Sequence, residues 1–415
     1  MTSRKMTHFI IGAMVLGIIV GHLVFTWGHE DGLAQSYAKN IALLTDIFLR
    51  LIKMIIAPLV FTTLVVGMAR IGDGGTIGRI TAKTFGWFVM MSVLSLVLGL
   101  IMVQILEPGQ GLNLPLPPEN ASHGLKVEGG GLAGFVQHIF PTSVVDAMAK
   151  NEILQIVVFA LFFGVAASSF GDRAKAFIED LDMISHIMLK VTTAVMTVAP
   201  IAVFAAVSSE IALNGIGIMT TYAYFMISFY LGILVLISLI FGLGYLVIGK
   251  RVTHLFQLLK EPTLLAFTTA SSEAAYPKTL EQIERFGCSN RVASFVLPMG
   301  YSFNLDGSMM YCTFAALFIA QIYGIDLSIG EQIMMLGMLL VTSKGMAGVP
   351  RASLVVLAAV LPSFNIPPEG VLLILAVDHF LDMARSATNV LGNGVAAAVI
   401  AKSEGQLTNH HHHQS

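Results

Sequence analysis

The residues best suited to chemistry lie close together near the end of the chain. Asp378, Asp382, Arg385, Ser386, Asn389 and Asn393 recur at steps of three and four within residues 369–402. A helix carries such positions on one face. The flanks, Val371 to Val377 and Val395 to Ile400, are apolar, so the stretch reads as a membrane helix with a polar stripe. A charge at the bilayer centre costs roughly 2.5–3.5 kcal/mol or more. The stripe must therefore face protein, water or a ligand. It is either a polar seam between helices or a binding site. Two acids, an arginine and two amides on one face favour the binding site. His379 is turned about 100° from Asp378 around the helix and reads as packing.

Composition says what surrounds the stripe. Of 415 residues, 55% are hydrophobic and 12% charged, and the mean hydropathy is +0.80. A soluble domain carries about 25% charged residues. The chain therefore reads as an all-α polytopic membrane protein. A formal net charge of -2, with no basic patch interleaved with aromatics, gives nothing for nucleic acid. Cys288 and Cys312 lie far apart without metal spacing, so neither a disulfide framework nor a metal site is expected. No G-x-S-x-G, HExxH, P-loop or Rossmann run occurs in a supporting context, and the histidines are scattered. No enzyme is expected, and no cofactor. The histidine run at 410–413 is left out of the fold.

Apolar runs of spanning length occupy 8–27, 40–68 (with Pro58 inside), 84–106, 152–170, 177–212 and 221–249. The first has no small-residue cleavage site after it and reads as a retained helix. Arg50 and Lys53 in the second run are expected to snorkel or to pair at a subunit surface. Pro200 predicts a kink in 177–212. A Pro- and Gly-rich loop follows 84–106, and 131–150 reads as short interfacial helices. Arg4, Lys5, Arg70, Arg79, Lys83, Arg173, Lys175, Lys250, Arg251 and Lys260 fall on one side of these runs. Lys39, Lys126 and Lys150 fall on the other, so the N-terminus is expected in the cytoplasm.

After residue 250 the pattern changes. Segment 256–292 has two modest apolar pieces around Thr268-Thr-Ala-Ser-Ser-Glu-Ala-Ala-Tyr-Pro277. Segment 331–368 repeats this around Ser343-Lys-Gly-Met-Ala-Gly-Val-Pro-Arg351. Half-length runs around a small-residue tip suggest re-entrant hairpins, tolerated at membrane depth only where they line a cavity. Each hairpin precedes a span with a polar break: Asn304-Leu-Asp-Gly-Ser308 after the first, the stripe after the second. Such paired, interrupted segments point to a transporter site between inverted repeats.

These motifs resemble the glutamate transporter family, the dicarboxylate/amino acid:cation symporters, over nearly the whole chain. The resemblance rests on the tip Ser271-Ser272, Asn304-Leu-Asp-Gly-Ser308, Gly345-Met-Ala-Gly-Val-Pro350, and Asp382-Met-Ala-Arg385 with Asn389. It implies a homotrimer of eight transmembrane helices and two re-entrant hairpins, working as an elevator. Scaffold would be residues 1–83 and 107–212. The moving domain would be 84–106, 221–249, hairpin 256–293, helix 294–323, hairpin 331–368 and helix 369–402, before the tail 403–415. By the same resemblance the chain sits in a bacterial inner membrane.

Roles follow from chemistry and resemblance together. The Arg385 guanidinium is a planar fork that matches a carboxylate bidentately, and in the family an arginine here marks acidic substrates. Its alternative is a structural partner for Asp378 or Asp382. An aspartate at Asp382 takes the substrate ammonium in amino-acid carriers of the family. Asn389, Ser386, Ser308, Ser271 and Ser272 are implied as further substrate contacts. The second tip, Gly345, Ala347, Gly348, Val349 and Pro350, is implied as a gate, its glycines permitting the bend. Arg351 departs from the family, where a small residue follows Val-Pro.

For the coupling ion, Asn304, Asp306 and Asn393 are implied. Sodium-coupled relatives carry an aspartate where Asn393 stands. They carry Tyr, Thr and Ser where Phe88, Met91 and Ser92 are aligned. The lost oxygens favour protons over sodium. Glu273 is a candidate proton carrier, with Asp306 and Asp378 as rivals. The expected activity is proton-coupled uptake of glutamate or aspartate. Its rivals are C4-dicarboxylate or sodium-coupled symport, and an anion channel.

Overall fold

The computed structural model describes residues 3–28, 32–69, 74–110, 112, 116–117, 140–215, 222–343, 352–375 and 377–408. In chain order the helices are α1 (Ser3–Gly28), α2 (Leu33–Ala69), α3 (Gly74–Leu106) and α4 (Val144–Lys150). Next come α5 (Ile153–Ser168), α6 (Asp172–Met196), α7 (Ala199–Asn214) and α8 (Ala223–Ile248). Then follow α9 (Arg251–Thr269), α10 (Ser272–Arg285), α11 (Asn290–Phe303) and α12 (Asp306–Ile322). The last are α13 (Ile329–Thr342), α14 (Ala352–Val360), α15 (Leu372–Leu375) and α16 (Asp378–Ser403). Two 3₁₀ turns, Leu361–Phe364 and Pro368–Val371, join α14 to α15.

Polarity is arranged opposite to a water-soluble fold. Leu246, Trp27 and Ile105 are more than 70% exposed on the outside, while Arg385, Asp378, Asn304, Asp306 and Asn393 are buried. Apolar surface facing outward needs an apolar solvent. Among the described residues five spans are long and apolar enough to cross a bilayer, one of them α11 with α12, or six if the bent pair α6–α7 is one span. That pair bends by 52°, and Pro200 lies in the first turn of α7, where a missing N–H is harmless. The expected span at 152–170 is the 16-residue α5. The expected helix 369–402 is divided, and α16 begins only at Asp378, an acid suited to a helix N-terminus.

Helices α1, α2, α5, α6 and α7 pack on one another, and α16 packs against α8, α9, α10, α11 and α12. The two groups meet where α2 and α5 lie on α11, α1 and α7 on α9, and α2 and α6 on α10. Between α9 and α10 the chain turns in two residues. Ala270 adopts a left-handed conformation at φ 48°, Ser271 N–H bonds back to the Ala266 carbonyl, and the Ser271 hydroxyl caps α10 by accepting from Ala274 N–H. The expected hairpin at 256–293 is thus an α9–α10 pair that starts at Arg251. The tip Gly345 to Pro350, and Arg351, lie outside the described residues.

Candidate substrate and coupling site

The site is built where two interruptions face each other. Helix α11 ends at Phe303, two residues leave helical geometry, and α12 restarts at Asp306. Two of the amides freed at the start of α12 find a partner. Gly307 N–H donates to Asn389 Oδ1 at 2.9 Å and Ser308 N–H at 3.4 Å, and Asn389 Nδ2 donates to Ser308 Oγ at 3.1 Å. One amide of α16 therefore caps α12, as a helix start demands. Asn389 and Ser308, each implied as a substrate contact, are brought into contact with one another.

Next along α16 stands the charged group. Arg385 is 1% exposed. Its Nη1 lies 3.1 Å from Asp378 Oδ1 and its Nη2 2.9 Å from Asp382 Oδ1. Its Nε also donates to Asp382 Oδ1, at 3.1 Å. The guanidinium carbon sits 4.0 Å from the centre of the Tyr311 ring, and the Tyr311 hydroxyl donates to Asp378 Oδ1 at 2.8 Å. Asp378 is buried, whereas the Asp382 side chain is 28% exposed. The two acids are therefore inequivalent. Asp378 holds the arginine from within the protein, and Asp382 holds it at an accessible edge. Two carboxylates on one guanidinium leave a formal excess of negative charge, which suits a ligand that brings an ammonium.

Asn304, Asp306 and Asn393 form a second polar cluster, all three fully buried. Asn304 Nδ2 donates to Asn393 Oδ1 at 3.1 Å and to Asp306 Oδ2 at 3.3 Å. Two glycines make the room. A Cβ at Gly300 would fall on the Asn393 amide, and one at Gly392 on the Asp306 carboxylate. From α3, Ser92 Oγ donates to the Phe303 carbonyl at 3.3 Å. Phe88 and Met91 are buried beside it on the same helix. Of the three aligned α3 residues, Ser92 thus faces the break in the chain.

Ser386 is buried within α16. Ser271 is spent on capping α10. Ser272 and Glu273 are half-buried in the first turn of α10. His379 packs edge-on against Phe380. Tyr311 was missed by sequence reasoning, although it lies three residues after Ser308 on the same helix face. Tyr222 and Tyr230 were missed too. The Tyr222 hydroxyl donates to the Leu373 carbonyl and Tyr230 to that of Phe380, at 2.6 Å, so α8 holds both sides of the α15–α16 junction.

The model of the sodium:dicarboxylate symporter family matches residues 6–403. The chain is 40% identical over 403 residues to the proton/glutamate-aspartate symporter of Escherichia coli K12, covering 95% of this chain and 92% of that one. It is 36% identical over 408 residues to the C4-dicarboxylate transport protein of Bacillus subtilis 168, covering 97% and 94%. It is 37% identical over 398 residues to the proton/sodium-glutamate symport protein of Geobacillus stearothermophilus, covering 95% and 93%.

Proposed function

The chain belongs to the sodium:dicarboxylate symporter family, and on that premise we propose that it takes up glutamate or aspartate together with protons. The observation that carries the substrate is the split between Asp378 and Asp382. A zwitterion with an acidic side chain presents a carboxylate to Arg385 and an ammonium to Asp382. Because Asp382 already touches the guanidinium, the ligand exchanges one carboxylate contact for its own. Arg385 keeps Asp378 and Tyr311 throughout.

Protons are the coupling ion in this reading. Sodium needs several hard oxygens, and the buried cluster sets a neutral amide at Asn393 beside Asn304 and the Asp306 carboxylate, while Phe88 and Met91 precede Ser92 on α3 without a side-chain oxygen to offer. Glu273 is the proposed proton carrier, at the tip between α9 and α10. Its test is Glu273→Gln in proteoliposomes: uptake driven by a pH gradient is expected to be lost, and retention of wild-type uptake removes Glu273 from the role.

The same reading assigns a homotrimer in a bacterial inner membrane, with eight spanning helices, two re-entrant hairpins and an elevator movement. The group α1, α2, α5, α6 and α7 would be scaffold, and α3 with α8 to α16 would move. The orientation would be N-terminus inside. No residue is assigned a catalytic step, and no cofactor is assigned.

A second reading, C4-dicarboxylate symport, is favoured by the similarity to the Bacillus subtilis protein. One experiment separates them: uptake of labelled aspartate, glutamate and succinate into proteoliposomes under separate proton and sodium gradients. Acidic amino-acid uptake on a proton gradient alone is expected. Uptake of succinate only, or strict dependence on sodium, overturns it.

A further inference from the structure

Residues 404–408 form a strap across one end of the bundle. Glu404 follows the last turn of α16, and its side chain is 2% exposed. Arg79 Nε donates to its two oxygens at 3.0 and 3.2 Å, with Nη2 at 2.9 Å. Lys83 Nζ lies 2.6 Å from Oε1. Lys83 also donates to the Ser403 carbonyl at 3.1 Å, where the end of α16 carries partial negative charge. Further along, Ser289 N–H donates to the Gln406 carbonyl at 3.0 Å and Thr408 N–H to Gly287 at 2.9 Å. Leu407 pairs with Cys288 as an antiparallel bridge. Arg251 donates to the carbonyls of Phe286, at 3.1 Å, and Thr408, at 2.9 Å. The strap thus ties the starts of α3 and α9 and the α10–α11 corner to the end of α16.

The clasp and the buried cluster lie at different heights along the same two helices, α3 and α16, which pack on each other. Glu404 is eleven residues from Asn393 along the chain, about 17 Å of helix, and Lys83 is nine residues from Ser92, about 14 Å. Helix α3 packs on α11, α12 and α16, and Ser92 is its hydrogen-bond donor to the Phe303 carbonyl next to Asn304. A helix anchored at one end transmits its axial position to the other. We propose that Glu404 is a positioning residue: through Arg79 and Lys83 it sets the register of α3 against α16 and holds Ser92 on the Phe303 carbonyl, at the chain break that carries the Asn304–Asp306–Asn393 cluster. The functional half of this statement rests on reading that cluster as the coupling site.

The test compares Glu404→Gln and Glu404→Asp with the wild type, full-length in nanodiscs and proteoliposomes. Hydrogen exchange of amides 84–95 is expected to quicken about three- to fivefold in Glu404→Gln, the size of one exposed-to-buried ion-pair loss, and to return towards wild type in Glu404→Asp. In uptake, the proton concentration for half-maximal rate shifts by a similar factor, while the KM for aspartate stays within about twofold. Unchanged exchange in Glu404→Gln, or equal impairment in both variants, overturns the proposal. If the wild type takes up no acidic amino acid, the transport reading fails on its own, and the exchange comparison still decides the positioning role.

Discussion

A guanidinium flanked by two carboxylates and an aromatic face carries its own competitor for an incoming carboxylate. At Arg385 the competitor is Asp382, because Asp378 is out of reach of solvent. Asp382→Asn keeps the buried pair and removes the proposed ammonium partner. The KM for aspartate and glutamate is expected to rise about tenfold or more, with succinate uptake not reduced; equal losses for all three would deny Asp382 its part in selection. Tyr311 separates two further effects. Tyr311→Phe keeps the ring over the guanidinium and removes a donor from a buried carboxylate, a loss of about 1–3 kcal/mol in stability. Tyr311→Leu also removes the cation–π contact, about 1–2 kcal/mol more. Thermal unfolding should rank wild type above Phe above Leu, and a tie between the variants would leave the ring contact with no weight. The stripe itself was legible, since a helix period and the penalty for charge in a bilayer act within one segment. Tyr311 was not, because its partner Asp378 is distant in the chain and only folding brings them together.

Single helices were legible where the chain must break. Asn304 and Leu305 interrupt α11–α12 as the polar motif suggests, and the serine tip closes α9 onto α10. What the pattern left out was why the break is tolerated: Asn389, from another helix, takes up the freed amides. The strap at 404–408 was equally invisible, since its partners run from Arg79 to Ser289. Helix fit also explains two small residues, Gly300 against Asn393 and Gly392 against Asp306. Gly392→Ala would press a methyl into the Asp306 carboxylate. Overpacking of this kind costs about 1–3 kcal/mol. Uptake is expected to fall more steeply than thermal stability, and an alanine variant with normal uptake would mean the cluster has slack. The clasp has its own pH signature. The Arg79 hydrogen bond, with Lys83, holds the Glu404 carboxyl below its ordinary value of 4.5. A depressed carboxylate contributes stability above its unfolded pKa and loses it as pH falls through the folded value. Exchange protection in the first half of α3 should therefore be flat from about pH 8 to about pH 5 and decline only below about 4.5. A decline near neutrality would mean another group titrates there.

At the scale of the molecule, the two ends of the bundle differ in charge and in the elements they carry. The 37-residue α2 is about 55 Å long, longer than the roughly 30 Å hydrocarbon layer, so it must tilt or project beyond it. Its first turns carry Lys39, and the far side of the bundle carries Lys250 between α8 and α9. Both lysines are exposed. The Glu404 clasp joins Arg79 and Lys83 to the end of α16, so these two basic residues share one end with the chain's last helix, and the excess of lysine and arginine at that end favours the cytoplasm. Cys288 and Cys312 are both buried, which leaves little native background for a membrane-impermeant maleimide. Lys39→Cys is expected to label in intact cells and Lys250→Cys only in inverted vesicles. Labelling of both from one side would break the two-sided arrangement, and the reverse pattern would turn the whole molecule over.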